Sequence, residues 1–151
     1  MLQLLRNKAK AVKRLNEKQL LRLLFFDKQL QKFVLDLNRI EQLYRRGIDS
    51  NGESLESIGG AYSELTVALK NQKGQPTDRV TLKDTGDFYE SFELIVKGDS
   101  IEIAADPVKG GVSLEIRWGD DIIGLAETSI EALIEKLKPL LLNEIRERLE
   151  I

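Results

Sequence analysis

The chain has 151 residues, 42% hydrophobic and 32% charged, which suits one packed domain and excludes a chain disordered by composition. It contains no cysteine and no histidine, so disulfides, thiolate nucleophiles, zinc–thiolate sites and every Ser–His or Cys–His triad are excluded. The formal charge of −2 divides unevenly: residues 1–46 hold 12 Lys and Arg against 4 Asp and Glu, residues 47–151 hold 11 against 21.

The first segment is read as a basic, heptad-patterned helical arm over residues 1–46. No Pro or Gly precedes Gly47. Steps of three and four residues connect Leu2, Leu5, Ala9, Val12, Asn16, Gln19, Leu23, Phe26, Leu30, Phe33, Leu37, Ile40 and Tyr44, and 11 of these 13 are apolar. That is a coiled-coil-like seam. A continuous helix of this length would reach roughly 65 Å, more than the diameter of the remaining chain packed as a globule. The seam must therefore meet a partner chain or bend back, and Leu23, Phe26, Leu30, Phe33, Leu37, Ile40 and Tyr44 are its candidate protein-interface residues. Asn16 with Gln19 fits an N-cap and its N3 partner, which places a break near residues 15–16. Arg45, Arg46 and Gly47 suit a helix C-terminus. The basic residues outside the seam leave open a solvated face, an acidic protein surface, nucleic-acid phosphates as a secondary partner, and a membrane surface.

No apolar run approaches the roughly 18 residues that span a bilayer, and the early cations Arg6, Lys8, Lys10, Lys13 and Arg14 break any signal-peptide order. The expectation is a soluble product used or assembled in a cytoplasm, without membrane contact.

Residues 47–151 are read as an acidic α+β body. Gly47 to Gly52 is a turn; Asp49, Asn51 and Glu53 imitate an EF-hand opening, but Ser54 and Gly60 occupy its sixth and twelfth positions. Ser50 with Glu53 is read instead as a capping box for a second helix carrying Leu55, Ile58, Tyr62, Leu65 and Leu69. Asn71–Asp78 is a loop. Period-two alternation marks three strands, one with Leu94 and Val96, one with Ile101, Ile103 and Ala105, one with Val112, Leu114, Ile116 and Trp118. Gly98–Asp99 turns the first pair and Asp106–Gly111 links the second. With Arg79–Lys83 as a candidate fourth member, the expectation is a three- to four-stranded antiparallel meander. The last helix is predicted to start at a Thr128 cap with Glu131 and to carry Ile130, Leu133, Ile134, Leu137, Leu141 and Ile145, with Pro139 kinking or dividing it.

Asp84–Thr85–Gly86 matches the Asp-Thr-Gly triplet of aspartic proteases. Lys83 precedes it where an apolar strand is required, and a helical turn follows, so Thr85 or Asp87 is read as a cap and Gly86 as loop geometry. Neither Gly59–Gly60 nor Gly110–Gly111 has phosphate-loop spacing. The sequence therefore points to no catalytic residue, no cofactor site and no metal site.

The stretch Thr85–Gly86–Asp87–Phe88–Tyr89–Glu90–Ser91–Phe92 precedes the strands, and Ile123–Gly124–Leu125 with Thr128 leads into the last helix. This order resembles the small tail-completion and head–tail connector (neck) proteins of tailed bacteriophages, and covers about half the chain. It departs from that family's pattern at Asp120–Asp121, where an arginine is usual. The resemblance implies a non-enzymatic virion protein, assembled in the bacterial host cytoplasm as a cyclic homo-oligomer. Its neighbours would be portal, adaptor or tail-tube proteins. From other classes, a non-viral coiled-coil adaptor and a DNA-contacting protein remain as alternatives.

Overall fold

The computed structural model describes residues 1–3, 6, 16–98 and 100–149. Seam positions Leu5, Ala9 and Val12, the cations Lys8, Lys10, Lys13 and Arg14, and Asp99 of the expected hairpin turn lie outside the described residues. The architecture is α+β: helices around two small antiparallel sheets, with a long C-terminal helix.

The expected single long helix is not formed. Helix α1 spans Glu17–Leu24 and starts, as the sequence indicates, at Asn16, whose side chain accepts from the amides of Lys18 and Gln19. A break then falls at Phe25–Asp27, where Asp27 Oδ1 accepts from Leu30 N at 2.9 Å and opens α2, Lys28–Asp36. An aspartate that satisfies an orphan first-turn amide ends one helix and begins the next without proline or glycine. A π-helix continues α2 over Leu37–Arg46 and stops at Gly47, which takes the left-handed conformation (φ 60°). Arg45 and Arg46 occupy its last turn, as expected from the helix dipole.

The predicted second helix is two. Asp49, not the Ser50–Glu53 capping box, organises the turn: its Oδ1 accepts from both Asn51 N and Glu53 N at 2.9 Å. Helix α3, Leu55–Gly59, ends at Gly60 (φ 86°), and Ser63 caps α4, Glu64–Gln72, through Thr66 N. The Gly59–Gly60 pair supplies the interruption. Gly59 also allows a close approach, because a Cβ there would lie 2.3 Å from Trp118 Nε1. Gly59→Ala is accordingly expected to cost about 1–3 kcal/mol. The shift would be visible in the emission of Trp118, the single tryptophan.

The meander is also corrected. Strands β1, Glu93–Val96, and β2, Ile101–Ala104, pair antiparallel with Leu94 opposite Ile103 and Val96 opposite Ile101. The third predicted strand shortens to β4, Val112–Ser113, which pairs only with β3, Val108–Lys109. Its remainder is a helix. Helix α5 spans Asp87–Glu90, α6 spans Leu114–Trp118, and a 3₁₀ turn follows at Asp120–Ile122. Leu114 and Trp118, four apart, satisfy a helix face as well as strand alternation; Ile116, on the far side, is 87% exposed. The candidate fourth strand at Arg79–Lys83 is irregular, with Val80, Thr81 and Leu82 buried. Its backbone is satisfied by side chains instead of a strand: Tyr62 Oη accepts from Thr81 N at 2.8 Å, and the Tyr89 hydroxyl donates to Thr81 O.

Helix α7, Glu127–Leu149, begins one residue before the expected Thr128 cap and runs through Pro139 undivided. The Thr128 hydroxyl instead accepts from Arg46 at 2.8 Å.

The segment 28–46 lies between two apolar cores. Leu35 and Leu43 join Leu55, Val80, Phe88, Tyr89, Phe92, Leu114, Trp118 and Ile122 in one. Leu30, Val34 and Leu37 join Phe25 and Leu133 in the other, against the apolar side of β1–β2. Two polar side chains on the π-helix, Asn38 and Gln42, are fully buried. They grip the chain entering α7. Asn38 Nδ2 donates to Ile122 O (3.1 Å), Gly124 N to Asn38 Oδ1 (2.7 Å), Gln42 Nε2 to Gly124 O (2.9 Å) and Ala126 N to Gln42 Oε1 (2.8 Å).

Candidate assembly surfaces

The seven seam residues divide. Leu30 and Leu37 are buried, and Phe33, Ile40 and Tyr44 are half-buried against the cores. Leu23 and Phe26 are outward, at 50% and 54% exposure, with the Arg22 guanidinium 6.0 Å from the centre of the Phe26 ring. The break at Phe25–Asp27 separates these two from the rest.

Several cations of this region are engaged within the chain. Asp36 receives Lys32 and Arg39; partial burial pushes its carboxyl up, but those hydrogen bonds outweigh burial and leave its pKa lowered. Arg45 pairs with Glu41 at 2.8 Å, and Arg39 also donates to Tyr89 O at 3.0 Å.

The Asp84–Thr85–Gly86 triplet forms the turn expected from its context. Gly86 is left-handed (φ 99°), and Asp87 N donates to Thr85 Oγ1 at 3.3 Å at the start of α5. Ser91, which closes the motif, donates to Phe88 O and accepts from Asp106 N, at 2.6 and 2.9 Å. Hydrogen bonds from Lys73 (2.5 Å, to Oδ1) and then Lys109 (3.1 Å, to Oδ2) hold the Asp84 carboxyl at a pKa of about 2. Both carboxylate oxygens of Asp84 are thus occupied by lysine ammonium groups of the same chain. A folded-state pKa below the unfolded value of 3.8 means this contribution is complete above about pH 4 and lost as pH falls toward about 2. The group is more than one third exposed, so the loss is expected to stay below about 1 kcal/mol. Comparing acid titrations of wild type and Asp84→Asn isolates it.

Asp84 lines a cleft of about 300 Å³. Leu69, Leu82, Leu114 and Trp118 line its apolar part, with Lys70, Lys73, Lys83 and Lys109 around it. Lys70 is buried, donating to Lys83 O at 2.7 Å with its ammonium 4.8 Å from the Tyr62 ring centre. The Lys83 ammonium lies over the rings of Tyr44 and Tyr89. Burial is the main reason the Tyr89 phenol is pushed far above its ordinary pKa, with Tyr62 and Tyr44 adding to it. Leu82, which lines this cleft, holds a left-handed backbone (φ 57°), a strained conformation for a bulky side chain. The cleft was not legible in the sequence. Its four lysines are spread over residues 70–109, and only the tertiary fold gathers them.

Among the described residues, no group of acidic side chains is arranged to hold a metal ion, and no helix is long and apolar enough to cross a membrane. Comparison of the chain with protein-family models, with curated proteins and with solved structures finds no match.

Proposed function

We propose that the chain is a structural virion protein of a tailed bacteriophage, forming part of an oligomeric ring at the head–tail (neck) or tail-completion position. The observation that carries this reading is the outer surface. Leu65, Val112 and Ile116 are each more than 60% exposed, and Leu23 and Phe26 at least half exposed. Large apolar side chains held at the surface suit a part built to be covered by neighbours. The two segments that carry the family resemblance serve the interior. Ser91 ties α5 to the β2–β3 link, and Gly124 is clamped by Asn38 and Gln42. Both are architectural uses, in keeping with a part that holds its neighbours in place.

Coiled-coil pairing through the whole seam would need Leu30 and Leu37 at the surface, and both are in the core. The ring reading has no such requirement. Native mass measurement with class-averaged electron microscopy tests it: closed rings of one copy number are expected. A chain that stays monomeric, alone and with portal and tail proteins, would sink it.

A further inference from the structure

The elements that frame the lysine cleft also carry much of the exposed apolar surface. Helix α4 presents Leu65 and the cleft-lining Leu69, and the β3–β4 hairpin presents Val112, paired with the cleft-lining Lys109. Four lysines and one aspartate line the cleft, a formal surplus of three positive charges. Exposed apolar side chains on the elements of a cationic cleft select a partner surface that is apolar and acidic together, since either property alone would leave half of the contact uncompensated.

The chain itself carries such a surface on another element. From Glu127 to Glu135, α7 contains Glu127, Glu131 and Glu135 and no Lys or Arg. Ile130 and Ile134, one turn apart, are 45% and 47% exposed. Ser129, Leu133 and Leu137 face the core, Ile130 and Ile134 lie on the flank of the helix beside that arc, and Glu127, Glu131 and Glu135 stand farther round on the outer side. Asp120 and Asp121, both exposed, extend the acidic character ahead of the helix, while Arg46 reaches Thr128 at its start. Helix α7 packs against α1 and the π-helix, whereas the cleft is framed by α4, β3 and α6. The two patches are thus different places on one chain.

We propose that the N-terminal half of α7 from one copy seats its Ile130–Ile134 stripe over the cleft of the next copy, its glutamates facing Lys73 and Lys109. The contact is an amphipathic helix in an apolar, oppositely charged groove. It is heterologous, joining unlike patches, and such a contact closes into a ring or grows into an open filament according to its rotation. This inference rests on the ring reading above and supplies the contact between subunits.

The test is charge exchange on the full chain, read by native mass and sedimentation over a salt series. Lys73→Glu and Glu131→Lys are each expected to weaken self-association by at least about tenfold. The chain carrying both should recover it, because every interface then holds the pair reversed. Leu65→Arg, at a side chain 71% exposed, should weaken association without recovery and carries the test should Lys73→Glu fail to fold, as judged by Trp118 emission. Assembly unchanged by all three variants overturns this contact and leaves the ring standing. Open polymers that obey the same charge exchange support the contact and overturn the ring. A wild-type chain monomeric at every concentration, alone and with portal and tail proteins, overturns both.

Discussion

Gln42→Leu is expected to lower the free energy of unfolding by about 3 kcal/mol, among the largest effects open to a single polar residue here. Leucine fills a similar volume but can neither donate to Gly124 O nor accept from Ala126 N. Both groups lie on the segment between the 3₁₀ turn and α7, where no neighbouring strand or helix offers a replacement partner. An unsatisfied buried backbone group costs about 1–3 kcal/mol, and this change leaves two. Asn38→Leu removes the matching pair to Ile122 O and Gly124 N and should cost a similar amount. Gln42→Glu sharpens the point. Its carboxylate could still accept from Ala126 N but would face Gly124 O, so burial and repulsion would raise its pKa. That variant should therefore lose stability as pH rises through the raised value. Urea midpoints measure all three. A Gln42→Leu midpoint equal to wild type would mean that water reaches these groups and that the clamp contributes nothing.

The second large effect separates two readings of the heptad seam. Leu30→Asp places an unpaired carboxylate among Phe25, Val34, Leu37 and Leu133, and the chain is expected not to fold at neutral pH, a loss of about 4 kcal/mol or more. Phe26→Asp changes a side chain that is 54% exposed, and its cost is expected to be under about 1 kcal/mol. Circular dichroism and thermal melting distinguish them. If Leu30→Asp folded as well as Phe26→Asp, the seam would not be turned inward at residue 30. A folded Phe26→Asp also allows assembly to be measured at the outward end of the seam without confusion from unfolding.

The seam shows what could and could not be read beforehand. Its apolar period marked the helical character of Glu17–Leu24 and of residues 28–46 but not the break between them, and Asn16 and Gly47 were legible as end signals because caps are local chemistry. Asp27 was the missed signal: a cap residue three positions before Leu30, inside a pattern whose periodicity continued across it. Periodicity reports which side of a helix is apolar, and it is blind to a bend that turns one stretch of that side outward, as at Leu23 and Phe26, and the next inward. The third strand failed for a related reason. Positions 114 and 118 satisfy both a period of two and a helix turn, and only Ile116 tells the two apart. The buried run at Val80–Leu82 looked like a strand because it is apolar. Its hydrogen bonds go to tyrosine hydroxyls, a solution that no local pattern encodes. The lysine cleft and the Asn38–Gln42 clamp are tertiary in origin, since their members lie far apart in the chain.

Because Leu30, Val34 and Leu37 serve one core while Leu35 and Leu43 serve the other, neither core can close on a chain in which residues 28–46 are not yet helical. Most partners of that helix come from much later, at Val80 to Phe92 and Ile122 to Leu133, so loop closure over long separations must be met before either core rewards it. A nucleus built on this helix, with local winding ahead of distant capture, is the expected result. Substitutions along 28–46 should slow refolding, whereas changes in the late-arriving β3–β4 hairpin should act on the rate of unfolding.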